Sequence, residues 1–193
     1  MQNNKSNPWK DFVSPVLVLA IICFAVTFAL AFVYGITKPI ITSNATKEAN
    51  AARTKILPEA EGKFSEDDGK KFILEDKKVF VEECFEADNR SGMVVTVKSN
   101  SYGGLLTAMI GIDKDGAITN VKVTEAGDTP GIGTKAQAPS HLKQYAGRTE
   151  LSSKEVKQDK DIKHISGASV SSGAVHKAVY CALKQYEDMG GVK

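Results

Sequence analysis

Hydrophobic and polar positions divide the 193-residue chain into unlike parts. From Phe12 to Thr37 no position is charged, in the run FVSPVLVLAIICFAVTFALAFVYGIT. About 20 apolar residues, rising about 1.5 Å each, cross the ~30 Å hydrocarbon core of a bilayer. The run therefore predicts one N-terminal transmembrane helix over 15–37, behind a short tail over 1–14. Pro15 suits the first turn of that helix, and Pro39 is expected to close it. A cleaved signal peptide would carry an apolar stretch of about 7–15 residues and a small-residue cut site. This run is longer and ends in VYGITKPI, which favours a retained anchor.

Beyond the anchor the pattern changes. Residues 40–57 predict a juxtamembrane helix that Pro58 ends, and PEAEGKFSEDDGKK reads as a charged connector. FILEDKKVFVEECFEA predicts two short strands around a polar turn, and GMVVTVKS and GLLTAMIGI predict two more. DKDG, Asp113 to Gly116, is a tight turn, and AITNVKVTEA alternates at Ile118, Val121 and Val123. GDTPGIGT must be a loop, Pro139 to Tyr145 a short helix, and LSSKEVKQDKDIKH a polar connection. The last helix is expected from about Ser171 to Asp188, with MGG as its C-cap. The fold class is α+β: an antiparallel sheet meander with packed helices, preceded by the transmembrane helix. The divisions are 38–91 for the juxtamembrane helix and connector strands and 92–190 for the α+β domain.

Composition adds exclusions. With 42% hydrophobic residues, 25% charged residues and a formal net charge of +2, the chain is that of an ordinary folded protein, and no basic stripe points to nucleic acid. Cys23 lies in the apolar run, while Cys84 and Cys181 are far apart with no C-x-x-C or Cys/His spacing, which argues against zinc and iron–sulfur sites. One Cys84–Cys181 disulfide or two buried thiols both fit. A count of Lys38, Lys47, Arg53 and Lys55 after the span against Lys5 and Lys10 before it would put the domain in the cytoplasm. Long domains cross largely regardless of such charges, so the count decides little.

The candidate chemistry sits in KHISGASVSSGAVHKAV, where Ser166, Ser169, Ser171 and Ser172 fall within seven residues. Ser171 or Ser172 is expected to cap the last helix, with the other serines solvated. The alternative is an anion site: a helix N-terminus carries about half a positive charge and unpaired N–H groups, which favour a phosphate, and Gly167 and Ala168 keep the approach open. Catalytic patterns fail. GASVS has Ser171 where a nucleophile elbow needs its second glycine. SHLK fits S-x-x-K only formally, and GDTPGIGTK spaces its glycines wrongly for a Walker A loop. No catalytic residue and no metal ligand is assigned.

SGASVSS resembles the S/T-G-A-T/S motif of the FMN-binding domain family, in which the last hydroxyl residue of the tetrad carries FMN through a phosphoester bond. GDTPGIGTKA resembles that family's E-T-P-G-L-G segment, and SYGGLLTAMIGIDKDGAITNVKV its G-Y-G-G and following strand pair. With the anchor, the KP after it and LPEAEGKF, the whole resembles the membrane subunits of ion-translocating electron-transport complexes. The G subunit of the Rnf type is the first expectation, and the C subunit of the Na⁺-translocating NADH:quinone reductase the second. The resemblance implies covalent FMN on Ser169, with Ser166, Gly167, Ala168, Ser171, Ser172, Asp128, Thr129, Gly131, Ile132, Gly133 and Tyr102 around the cofactor. Thr129, Gly131, Ile132 and Gly133 would lie against the flavin ring. It also implies partner subunits of the complex, a flavin transferase for maturation, a single pass through the cell membrane and a soluble domain on the extracytoplasmic side. Lys163 stands where the family usually has an acid ahead of S-G-A, and Asp128 stands for the usual Glu. A flavin-free binding module of the same fold, or an anchored serine hydrolase, would be the other classes of function.

Overall fold

The computed structural model describes residues 14–75 and 77–192; apart from Ser14, the expected N-terminal tail lies outside them. The chain divides into two compact units, Met1–Glu48 and Ala49–Lys193. The described residues of the first are helical. Helix α1 runs Ser14–Ile56 without a break, so Pro39 lies inside it and the separate helix expected over 40–57 is its continuation. Proline removes one backbone hydrogen bond, and here the helical turns continue on both sides of it. The segment Val16–Pro39 is long and apolar enough to cross a bilayer, and no part of it is buried in the protein. Its two threonine hydroxyls are satisfied internally, as lipid requires: Thr27 Oγ1 donates to the Cys23 carbonyl at 2.7 Å and Thr37 Oγ1 to the Val33 carbonyl at 2.8 Å. Lys38 Nζ lies 5.4 Å from the centre of the Tyr34 ring, a pairing of the kind found at membrane interfaces.

The second unit is built on one antiparallel sheet. Its strands are β1 (Phe64–Glu66), β2 (Ile73–Glu75), β3 (Val79–Ala87), β4 (Gly92–Ser101), β5 (Gly104–Asp113) and β6 (Ile118–Glu125). The order is β1-β3-β4-β5-β6, and β2 pairs with the other half of β3's outer edge. β1 falls in the stretch expected to be connector. Ser65 and Glu66 are exposed, so the strand has no apolar alternation to announce it.

β4 is buried on both faces, and its alternation sorts the core. Met93, Val95 and Val97 pair with Ile112, Ile110 and Ala108 and face one cluster; Val94 pairs with Gly111 and faces the other. A register shift between Val81 and Glu83 in β3 brings both Val81 and Cys84 to the first face. That face is covered by α3 (Ser169–Met189), whose Val175, Ala178, Val179, Ala182 and Leu183 are buried at helical spacing. Gly190 ends α3 in the left-handed region at φ +75°, as MGG predicts. The second face receives the end of α1. Ile56 and Leu57 pack with Val94, Ala87 and Ala60, and Thr119 Oγ1 donates to the Ile56 carbonyl at 2.8 Å. Gly111 permits this approach, since a Cβ there would meet Ile56 Cγ2 at 2.7 Å. The Arg53 guanidinium lies 3.4 Å from the centre of the Phe85 ring and donates to Asn50 Oδ1 at 2.8 Å.

Both sheet edges are partly closed. β1 and β2 cover β3, and at the far side Ile118 exchanges backbone hydrogen bonds with the Gly147–Arg148 turn at 2.7 and 2.9 Å. After β6 a short 3₁₀ segment (Gly133–Gln137) leads to α2 (Pro139–Leu142), which continues as a 3₁₀ turn to Tyr145. The polar stretch 151–165 has no helix or strand, as expected. Cys84 and Cys181 are buried free thiols, and burial pushes both up to about 12.

Candidate functional site

Three segments far apart in sequence meet at the N-terminal end of α3. The β4–β5 hairpin turn brings Tyr102, the loop after β6 brings Thr129, Ile132 and Gly133, and the chain entering α3 brings Gly167, Ala168, Ser169, Val170 and Ser171. They line an open cavity of about 580 Å³, within the usual range of small-molecule sites. Tyr102, Ile132 and Val170 are all more than half exposed at its rim. The Tyr102 ring and the aliphatic side chains of Ile132 and Val170 offer largely apolar surface that a planar ring would cover.

The helix start differs from the expected one. α3 begins at Ser169 with Ala168 at its cap, and no side chain caps it. Ser171 and Ser172 are buried in its first turn and are not capping residues. The Ser172 N–H makes the first bond of the helix, to the Ala168 carbonyl at 2.9 Å, so the N–H groups of Ser169, Val170 and Ser171 precede the ladder. Gly167, at φ +82° with nothing near its Cβ position, turns the chain into the helix and leaves the space in front of it clear.

The four serines have four environments. Ser166 is exposed and outside the cavity lining. Ser172 Oγ donates back to the Ala168 carbonyl at 3.0 Å, locking the first turn. Ser171 is buried beside Asp128, with Gly133 against both. Ser169 is half-buried at the cavity, and among the described residues its hydroxyl has no hydrogen-bond partner.

Asp128 is 5% exposed and does not line the cavity; it lies beneath it. Its carboxylate accepts from Ser101 Oγ at 2.8 Å, the Gly103 N–H at 3.0 Å and Gln137 Nε2 at 3.1 Å. Burial pushes this carboxyl up, but its hydrogen-bond donors outweigh burial and hold it below the ordinary value. One buried group thus ties the hairpin to the loop and to the 3₁₀ segment that follows it. Gly133 fits between Asp128 and Ser171: a Cβ there would lie 2.7 Å from Asp128 Cβ and 2.9 Å from Ser171 Oγ. Gly131, at φ +76°, shapes the loop without lining the cavity, and its N–H donates to the Thr134 hydroxyl at 2.9 Å.

Of the residues expected around the site, Tyr102, Thr129, Ile132, Gly133, Gly167, Ala168, Ser169 and Ser171 come together at the cavity, and Asp128, Ser172, Gly131 and Ser166 do not line it. Ser101, Gly103 and Gln137 support the floor and were not singled out from the sequence. Small polar residues in turns carry no periodic signal. A second clamp acts behind the site. The Gln144 side chain accepts from the Lys163 N–H at 2.9 Å, and Arg148 pairs with Asp161 at 3.4 Å, which fixes the approach to the serine cluster.

An FMN group fits this arrangement: its phosphate would meet the free N–H groups at the mouth of α3, and its ring the exposed rim. Comparison with known proteins agrees with that fit. Residues 101–184 match the FMN-binding domain family. The chain is 27% identical over 178 residues, 91% of each chain, to the G subunit of the proton-translocating ferredoxin:NAD(+) oxidoreductase complex of Clostridium ljungdahlii. It is 25% identical over 201 residues, 94% of each chain, to the G subunit of the Na(+)-translocating ferredoxin:NAD(+) oxidoreductase complex of Acetobacterium woodii. Among solved structures, NqrC of Shewanella oneidensis aligns with a TM-score of 0.44 and 21% identity, over 54% of this chain and 57% of that one.

Proposed function

We propose that this chain, which carries an FMN-binding domain at residues 101–184 and resembles G subunits over 91% of its length, is a membrane-anchored flavoprotein subunit of an Rnf-type ion-translocating ferredoxin:NAD oxidoreductase complex. FMN is held covalently on Ser169 by a phosphoester bond formed by a flavin transferase, and the subunit relays electrons to and from its neighbours in the complex. The observation that carries this reading is Ser169 itself. It lines the cavity at the positive end of a 21-residue helix, and its hydroxyl has no hydrogen-bond partner among the described residues.

When bound, FMN supplies the electron transfer. The protein's part is position. The N–H groups of Ser169, Val170 and Ser171 would hold the phosphate, and the bend at Gly167 keeps side chains out of the space in front of them. Thr129, Ile132, Gly133 and Tyr102 would hold the ring. The open rim would leave the ring accessible to a neighbouring electron carrier. The apolar segment Val16–Pro39 anchors the domain in the cell membrane, with the domain on the extracytoplasmic side, where a covalent bond prevents loss of cofactor by dilution.

The test is expression with and without a flavin transferase, followed by denaturing electrophoresis and flavin fluorescence. A fluorescent band that requires the transferase and vanishes in Ser169→Ala is expected. A band equally bright in Ser169→Ala would refute the assignment.

A further inference from the structure

No charged side chain lines the cavity, yet a charge lies directly beneath it. Gly133 belongs to the lining, and a Cβ built on it would lie 2.7 Å from Asp128 Cβ and 3.1 Å from Asp128 Cγ. The buried Asp128 side chain is therefore packed against the back of the cavity wall. Its hydrogen bonds fix its charge state. The Gly103 N–H donates at 3.0 Å and Gln137 Nε2 at 3.1 Å, and Ser101 Oγ reaches both carboxylate oxygens at 2.8 Å. A carboxyl group surrounded by donors is an ionised acceptor. All three partners are neutral, and among the described residues no Lys, Arg or His forms an ion pair with Asp128.

We propose that Asp128 is a potential-setting residue: its uncompensated negative charge beneath the cavity lowers the reduction potential of the bound flavin and so makes the reduced subunit a stronger electron donor. This rests on the flavoprotein reading above and adds to it an electrostatic role for a residue that does not line the site.

The charge balance of electron transfer shows why this residue matters. In each reduction step one electron passes to the ring from a reduced carrier of the complex, which is thereby oxidised, and any proton that follows comes from solvent. The arriving negative charge is opposed by a like charge fixed below. Asp128 cannot swing away, because its donors come from the hairpin and from the 3₁₀ segment after the loop. Screening is weak, since the carboxylate is out of water and the lining in front of it includes the apolar side chains of Ile132, Ala168 and Val170. The unpaired N–H groups at the start of α3 carry only partial positive charge and would be engaged by the phosphate, so they do not cancel it. A charge near the ring is one of the levers by which a protein tunes a flavin.

The experiment is a reductive titration of the full-length chain in detergent, after coexpression with a flavin transferase. Dithionite supplies the electrons through mediator dyes, and the midpoint potential is read from flavin absorbance. Asp128→Asn removes the charge, Gln137→Lys sets a cation against it, and Gln137→Met removes one donor while leaving the charge in place. Asp128→Asn is expected to shift the equilibrium toward the reduced ring about tenfold, which for one electron is a rise of about 59 mV. Gln137→Lys should rise in the same direction, and Gln137→Met should not rise. The proposal is overturned if folded Asp128→Asn keeps the wild-type potential, or if Gln137→Met rises as far as Gln137→Lys, since disturbed packing of the floor would then account for the shift. Should Asp128→Asn fail to fold, the two Gln137 variants decide, and equal potentials in them overturn it. A wild-type chain that carries no flavin at all would instead bring down the flavoprotein reading, and this inference with it.

Discussion

Gly103 and Gly127 meet backbone to backbone: a Cβ on Gly103 would lie 2.0 Å from the Gly127 carbonyl oxygen. The contact presses the hairpin turn against the loop that opens the candidate site, and it aims the Gly103 N–H at Asp128. Gly103→Ala forces these two backbones apart. It is expected to cost about 3 kcal/mol, at the upper end for overpacking, measured by urea unfolding of the purified domain. Loss of flavin labelling should accompany it, because the floor of the cavity moves.

His176 predicts a dependence on pH. It is fully buried in α3, its Nε2–H donates to the Ser153 carbonyl at 2.8 Å, and Nδ1 is 3.4 Å from the Tyr145 hydroxyl. Burial, against the pull of the Ser153 carbonyl and Asp159, holds its imidazole below the ordinary 6.5. Above pH 6.5 both folded and unfolded chains carry it neutral, so it adds no slope. Below that the unfolded chain takes up a proton that the folded chain refuses, so stability falls with pH until the folded value is reached, by at most about 1.4 kcal/mol per pH unit. His141, lowered by burial, acts in the same direction. Thermal melts between pH 7.5 and 5 should show a shallower decline for His176→Gln than for the wild type, with a residual slope from His141.

Asp159 holds the stretch leading to the serine cluster. Its carboxylate accepts from the N–H groups of Ser152 at 3.0 Å, Asp161 at 2.9 Å and Ile162 at 3.2 Å. Burial pushes the carboxyl up, yet these bonds and nearby His176 leave it below the ordinary 3.8. Its stabilisation is therefore complete above pH 3.8 and lost as pH falls from there through the folded value. Asp159→Ala should cost about 2 kcal/mol at neutral pH. Limited proteolysis should then cut within 151–165 first.

The buried thiols give a chemical test. With Cys84 and Cys181 pushed up to about 12, neither is a thiolate at pH 8 in the folded domain. Iodoacetamide should leave both unmodified under native conditions and label both in denaturant. A disulfide between them would leave neither labelled in denaturant without reductant.

A chain beginning at Ala49 keeps Ile56, Leu57 and the whole sheet. It should appear in the aqueous phase after detergent partitioning, while the full-length chain follows the detergent.

The sequence made the architecture legible wherever one physical signal dominated. Uncharged length gave the helix through Val16–Pro39, alternation gave β4 to β6, and MGG gave the end of α3. It misled where a local rule met a stronger context. Pro39 did not end α1, and the serines expected to cap α3 lie inside its first turn. β1 was hidden because pairing with β3, not burial of its own side chains, makes it a strand. At the site, motif order brought the cavity-lining residues together, but which serine is exposed, which is buried and which bonds back to the helix depends on how the chain packs at the start of α3. Asp128 was expected beside the cofactor and lies beneath the cavity, and no pattern in GDTPGIGT reveals that Gln137, nine residues on, supplies one of its donors.

The closed edges of the sheet bear on life at a crowded membrane surface. Open strand edges recruit one another, and proteins concentrated in two dimensions meet often. Here β1 and β2 occupy one margin, and the Gly147–Arg148 turn occupies the start of the other. The rest of β6 shows solvent its exposed Asn120, Lys122, Thr124 and Glu125. Strand-to-strand polymerisation is thereby discouraged on both flanks.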